Sequence, residues 1–356
     1  MALSIPQELL DNLALRFASH SQDIYGAANA NSSPLYAYIA KQAADDTEIL
    51  ALVANADLAT QVTNLLFGAV HFLLLEGIRH PLADFYPDLT QSPRPIVDSY
   101  RDFRIFCLEH VQEIERLVTQ KRVQTNEVTR CSMLLPAFNL VYQRMNKKPL
   151  AIVEIGSSAG IHLIWDHFYY DYGLIGQVGN PDANVKLITD VRGNIRPPIP
   201  AQMLQVAYRI GSDIYPIDPN DDEATRWLRA LIWPEHQDRL FQLEAALRDL
   251  RLKPVQVVAG NATETLPEIL RNVPSDLNLC VFHSYAMVQM PKVIHEQILD
   301  HLLAFSIKRD FYRISQEWFS GQQHPQIELT TYHDGQAQTE LLAYAESHGR
   351  WLEWLA

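Results

Sequence analysis

An apolar run, Leu150-Ala-Ile-Val153, passes without a polar break into Glu154-Ile-Gly-Ser-Ser-Ala-Gly160, and an amphipathic stretch from Ile161 to Phe168 follows. This predicts a buried strand, a tight turn of small residues and a helix, the repeating unit of sheets whose strands alternate with helices. The rest of the C-terminal half keeps the alternation. Strands are expected over Leu150–Ile155, Gln205–Ile210, Val255–Ala259, Leu277–His283 and Phe311–Trp318. Helices are expected over Gly160–Tyr169, Asp222–Leu231, Glu235–Leu252, Glu264–Arg271 and Pro291–Phe305. Ile327–Tyr332 and Gln338–Tyr344 flank His333-Asp334-Gly335, whose Asp-Gly pair suggests a hairpin although the gap exceeds a two-residue turn. Arg350–Leu355 is a last strand candidate.

Before Lys147-Lys148-Pro149 the pattern is helical and contains no convincing strand. Ser4, with Pro6 and Glu8 after it, reads as a first helix start; further helices fit Ser33–Ala44, Asp46–Ala54, Ala59–Glu76, Tyr100–Val118 and Asn126–Arg144. The expected fold class is therefore α/β: a Rossmann-like, mostly parallel sheet with a C-terminal antiparallel hairpin, preceded by an all-helical N-terminal region. The domains expected are 1–148, a helical lid or substrate-selecting region, and 149–356, with an insertion at about 171–204 that holds one extra strand over Val185–Val191 and the proline-rich Arg196-Pro-Pro-Ile-Pro200.

Two chemistries compete for the turn. Glu154, Gly156, Ser157, Ser158 and Gly160 fit the acidic-then-glycine loop of nucleotide-type cofactor sites, here S-adenosylmethionine, whose loop N–H groups would face the adenosyl group. Such a site needs an acid for the ribose hydroxyls; Asp213 after the second sheet strand is preferred over Asp190 after the inserted one. Asn261 and Ala262, after the third strand, are placed to read the adenine edge. The same Gly156-Ser-Ser-Ala-Gly160 also spells the Gly-x-Ser-x-Gly nucleophile elbow of α/β-hydrolases. There Ser158 is the nucleophile, Asp213 or Asp218 the acid, and His283 or His348 the base. Helical rather than stranded sequence upstream, and no His-Gly-Gly loop, count against that alternative.

From Leu150 onward the chain resembles class I S-adenosylmethionine-dependent methyltransferases, through the Glu-x-Gly-x-x-x-Gly loop, the acid at Asp213, Gly260-Asn-Ala262 and the closing hairpin. It departs at Ser158, in the long insertion and at Asn261, where an acid is common. More narrowly, the chain resembles a bacterial family called domain of unknown function 2332. The residues that carry this are Glu154–Leu163, Tyr170-Asp-Tyr-Gly173, Gly211–Asp218, Trp233-Pro234, Phe282-His-Ser284 and His348–Trp354, with His80-Pro-Leu-Ala83 in the first half. The methyltransferase resemblance implies the cofactor-binding set Glu154, Gly156, Ser157, Ser158, Gly160, Asp213, Asn261, Ala262 and His283.

Methyl transfer to oxygen or nitrogen calls for a proton acceptor, and the acceptor is expected beyond the fourth strand at Val281-Phe-His-Ser-Tyr285. His283 is the candidate base, with Ser284 or Tyr285 orienting the acceptor; a structural histidine at the strand end is the competing reading. His162 and His167, five apart, share no helix face, and Cys107, Cys131 and Cys280 have no ligand spacing, so no metal site is expected. Trp165, Phe168, Tyr169, Tyr170 and Tyr172 are expected to pack the core, and Asp218–Glu223 to start a helix.

A formal net charge of −13 argues against a nucleic-acid surface and leaves a small molecule or a protein as substrate. No apolar run reaches membrane-spanning length, and Met1-Ala-Leu-Ser-Ile-Pro6 lacks the basic start and apolar core of a secretory signal. With three scattered cysteines this points to the cytoplasm. A homo-oligomer is left open, as is a binding protein that keeps the sheet without the chemistry.

Overall fold

A computed structural model describes residues 5–26, 32–58, 61–124 and 126–356. It divides into two compact units, Met1–Thr125 with Asp221–Phe241, and Asn126–Asn220 with Gln242–Ala356. The units differ from the division expected at residue 148: the helix before the first strand goes with the sheet, and 221–241 goes with the helical unit.

The helical unit holds α1 (Gln7–Asp23), α2 (Pro34–Ala43), α3 (Thr47–Ala51), α4 (Val62–Leu75), α5 (Ser99–Glu109) and α6 (Val111–Gln120). The helix start expected at Ser4 and the onset at Ala59 lie outside the described residues. Ser33 caps α2 by accepting from Tyr36 N–H with Pro34 in the first turn, as the sequence pattern requires. Almost every residue of α4 is buried, and Phe67 at its centre packs against Phe17, Tyr25, Tyr36 and Phe103. The helix expected over Tyr100–Val118 is two helices, because His110 leaves helical dihedrals (ψ 32°) and lays its ring on Phe106.

In the second unit, α7 (Arg130–Arg144) precedes β1 (Leu150–Ile155). Next come β2 (Tyr169–Asp171), β3 (Gln177–Val178), β4 (Lys186–Ile188), β5 (Asp190–Arg192) and β6 (Val206–Asp213). The helix α8 (Asp222–Ala230) falls in the first unit, capped by Asp221 as the acidic run suggested. It is followed by α9 (Gln237–Leu252), β7 (Gln256–Ala259), α10 (Ala262–Asn272), β8 (Asn278–Ser284), α11 (Lys292–Ser306), β9 (Phe311–Glu317), β10 (Gln326–His333), β11 (Gln336–Ala345) and β12 (Trp351–Trp354).

The large sheet runs β5-β12-β11-β10-β9-β8-β1-β6-β7. β7, β6, β1, β8 and β9 are parallel, β10 to β12 antiparallel, and β5 pairs parallel with β12. Counted from β1 along the large sheet, setting aside the inserted strands, the order is the 3-2-1-4-5-6 of Rossmann-type sheets, with the sixth strand reversed. The order reverses between β1 and β8, the switch point where ligands of such sheets bind beyond the carboxyl ends.

Three expectations are corrected here. The segment expected as one helix from Gly160 to Tyr169 is a 3-10 turn, Ile161–His167, kinked at Ile164, and Tyr169 already belongs to β2. Within this turn Trp165 stacks on Phe138 of α7, centroids 4.7 Å apart. The single inserted strand over Val185–Val191 is two strands in different sheets, β4 against β2 and β5 against β12. The hairpin strands grow inward until only Asp334 and Gly335 remain as the turn, both at positive φ (44° and 72°), which an Asp-Gly pair accommodates.

Candidate functional site

Side chains at the carboxyl ends of β1, β6, β8 and β9 are sorted by the pleat. Ile155 is in register with Ser212 and His283, so these three share one face; Ser212 bonds Thr265 of α10 at 2.7 Å there. Glu154 is in register with Gly211 and Phe282, on the face where Phe282 meets Phe138 of α7. Asp213, two residues beyond Gly211, lies on the Glu154 face. The sequence-derived set is therefore divided: Glu154 and Asp213 on one side, His283 on the other.

On the α7 face, Glu154 Oε1 bonds His162 Nδ1 at 2.9 Å, and His162 Nε2 bonds the Glu127 carbonyl at 2.9 Å. All three residues are buried. Burial pushes the Glu154 carboxyl above the usual carboxylate range, with the neighbouring His162 opposing the rise. Glu154 Oε2 and Ser158 Oγ are buried and have no hydrogen-bond partner. A buried polar atom left unpaired costs about 1–3 kcal/mol, so such atoms mark places where a ligand or water is expected. Ser158 itself stands at φ 52°, left-handed backbone that is uncommon for a residue with a β-carbon.

The turn spends most of its own N–H groups internally. Gly156 and Ser157 donate to the Ser212 carbonyl (2.8 and 3.2 Å), Ser158 donates to Asp213 Oδ2 (2.8 Å), and Gly160 donates to the Ser157 carbonyl (2.7 Å). The glycines serve packing: a β-carbon on Gly156 would meet that of Ala286 at 2.4 Å, and one on Gly160 would meet Val255 Cγ2 at 2.5 Å. The expectation that N–H groups of 156–160 face a ligand is thus met by four donations inside the protein, and ligand recognition would fall to side chains.

Asp213, expected to take ribose hydroxyls, accepts from the Ser158 N–H and also from Tyr215 N–H at 2.8 Å. Asp190 does not: it sits on β5, at the opposite edge of the sheet from β6 and β7, paired with Trp351. Asn261 spends its carbonyl oxygen as the N-cap of α10, accepting from Thr263 N–H at 3.0 Å, and Ala262 is the first residue of that helix. The aromatic residues after the turn pack as expected, Trp165, Phe168, Tyr170 and Tyr172 being buried.

On the other face, His283 Nδ1 bonds Glu317 Oε1 at 2.6 Å, both side chains within 2% of full burial. His283 Nε2 is buried with no hydrogen-bond partner. Burial holds its pKa below the ordinary histidine value of 6.5, with Glu317 pulling the other way. The acid partner of His283 is therefore Glu317, not Asp213 or Asp218. Ser284 donates its hydroxyl to Gln316 Oε1 at 2.9 Å. Tyr285 stands at φ 53°, and the Arg130 guanidinium covers its ring at 3.9 Å. Burial raises the Tyr285 pKa, with Arg130 opposing. Arg130 also donates to the Ser347 carbonyl at 3.1 Å, and Thr129 bonds the His348 carbonyl, so the last loop meets the start of α7 beside Tyr285.

Sequence reasoning passed over Glu317, Glu127, Arg130 and the pairing of His162. Glu317 had a signal: it is an acid near the end of an expected strand, and the structure sets that strand beside the one bearing His283. No group of three or more metal-ligating side chains occurs among the described residues.

Residues 22–354 of the chain match a family described as an uncharacterized protein conserved in bacteria, DUF2332. The chain belongs to this family. No curated protein and no solved structure matches the DUF2332 chain. No helix among its described residues is long and apolar enough to cross a membrane.

The buried histidine carries a pH signature. With its folded pKa below 6.5, His283 takes up its proton later than in the unfolded chain, so stability is full above pH 6.5 and falls as pH drops through that value. Glu154 has the opposite sign, its raised carboxyl favouring the folded state at lower pH. The isolating measurement is the thermal midpoint of His283→Gln against the native chain: the variant's decline between about pH 7 and 5.5 is expected to be shallower. Parallel curves would refute the buried neutral imidazole.

Proposed function

We propose that this DUF2332 protein is an S-adenosylmethionine-dependent methyltransferase acting on a small molecule or a protein in the cytoplasm. The observation that carries the reading is the joined pair of strand ends at β1 and β6, next to the switch point. There Asp213 holds the Ser158 N–H at 2.8 Å, beside buried, unpartnered acceptors at Glu154 Oε2 and Ser158 Oγ. The chemistry fits: ribose hydroxyls and an α-ammonium can donate to these two oxygens, which have no partner in the protein. Glu154, Ser158 and Asp213 would hold the group by side chains, since the loop N–H groups are spent. When bound, it supplies an electrophilic methyl carbon. The chain's own part is to orient an acceptor, exclude water and take up a proton.

Calorimetry with S-adenosylmethionine and S-adenosylhomocysteine tests the reading. Ser158→Ala removes an oxygen with no protein partner, so its stability is expected within about 0.5 kcal/mol of the native chain. Its affinity is expected to fall about fivefold or more, the loss of one hydrogen bond. No binding to the native chain would remove the cofactor. Binding without turnover on any acceptor would favour a non-catalytic binding protein.

The left-handed backbone of Ser158 favours a second reading, a serine hydrolase with a nucleophile elbow. Fluorophosphonate labelling at Ser158, lost in Ser158→Ala, would establish it. Among the described residues helices rather than strands precede β1, and no hydrogen bond joins His283 and Ser158, so this reading comes second.

A further inference from the structure

Glu317 gathers four partners. Oε1 bonds His283 Nδ1 at 2.6 Å and accepts from the N–H groups of Ala286 and Met287 at 3.1 Å each; Oε2 accepts from Val288 N–H at 3.1 Å. Three backbone N–H groups already donate to the two oxygens, so the carboxyl is placed as an acceptor, which puts the proton of the His283 bond on Nδ1 and leaves the other ring nitrogen its lone pair. That nitrogen, Nε2, is buried and unpartnered. Arg313 of β9 and His295 of α11 also face the ring, and both disfavour a second proton on it. Ala286, held by the same carboxylate, is the residue that covers Gly156.

We propose that Glu317 is the positioning residue of His283, fixing the Nδ1–H tautomer so that Nε2 takes the proton of a methyl acceptor bearing a hydroxyl or N–H group. The inference rests on the methyltransferase reading. As the acceptor oxygen or nitrogen bonds to the methyl carbon, the carbon–sulfur bond of the sulfonium breaks and its electron pair stays on sulfur as a neutral thioether. The acceptor proton moves to His283 Nε2, and Glu317 balances the resulting imidazolium.

The test uses the full chain labelled with ¹⁵N-histidine, with the His283 signal assigned by its absence in His283→Gln. The native protein is expected to show a neutral Nδ1–H tautomer at pH 7. In Glu317→Gln the carboxylate that favours the imidazolium is gone, so the His283 midpoint is expected to fall by about one pH unit, a tenfold loss of proton affinity. Glu317→Asp, which keeps the charge, should restore part of that shift and serves if the glutamine variant does not fold. With S-adenosylmethionine and a low-molecular-weight bacterial extract as acceptor source, the acid limb of S-adenosylhomocysteine release should move down by the same interval. An Nε2–H tautomer in the native chain, or a midpoint unmoved in both variants, overturns the positioning role, whatever calorimetry finds for the cofactor. The expected tautomer in a chain that binds no S-adenosylmethionine overturns the methyltransferase reading instead, and with it the proton transfer from a methyl acceptor.

Discussion

Gly156→Val is expected to destabilise the sheet unit by about 2–5 kcal/mol, whether or not a ligand is present. Two terms add. The backbone there has φ 77°, where a side chain costs roughly 1–2 kcal/mol. The new β-carbon would also overlap that of Ala286, placed at 2.4 Å, and overpacking of this kind costs about 1–3 kcal/mol. Urea unfolding followed by circular dichroism measures the loss, and a native midpoint would refute the close approach of the two turns. Loss of ligand binding in Gly156→Val is then uninformative, because the variant damages the scaffold first. Ser158→Ala is the cleaner probe for that reason.

Glu317→Leu is expected to cost about 3–5 kcal/mol, because several buried donors lose a shared acceptor at about 1–3 kcal/mol each. The leucine leaves the His283 Nδ1–H and the N–H groups of Ala286, Met287 and Val288 without their acceptor, all beside a side chain that is 2% exposed. Hydrogen exchange adds the spatial check: protection should fall first at residues 286–288. Full stability with unchanged protection there would mean that the carboxylate does not hold the turn.

The strands were legible because their causes are local. Leu150–Ile155 is recovered to the residue, and Phe311–Trp318 differs from the observed strand by one position. An unbroken apolar run admits a strand buried on both faces, and little else at that length. The long helices of both units followed from the same periodicity. The failure at Gly160–Tyr169 is instructive: the apolar spacing is helical, yet the segment is a tighter, kinked turn whose Trp165 stacks on Phe138, 27 positions earlier. In the hairpin, the Asp334-Gly335 pair carried the right signal, and the strands simply extended to meet it.

The candidate site was legible only in part. Glu154 and Asp213 stand at strand ends, where the alternation puts them, and His283 was located by the same rule. Their partners were not. His283 meets Glu317 across 34 residues and His162 meets the Glu127 carbonyl across 35. His162, set aside because five-residue spacing to His167 suits no helix face, turned out to be bound by residues on other elements altogether. Asp190 illustrates the converse: it was expected after one inserted strand, but it opens β5, which lies at the far edge of the sheet from β6 and β7.

The sequence alone determined that the strands around the tight turn after β1 exist, the turn itself and the fold class, since these depend on side-chain period and backbone freedom within a few residues. Which face each polar side chain occupies, which carboxylate orients which imidazole and how the turn spends its N–H groups were decided by tertiary structure. The reason is strand register: pairing between segments distant in the chain sets which side chains become neighbours, and no local pattern encodes that choice.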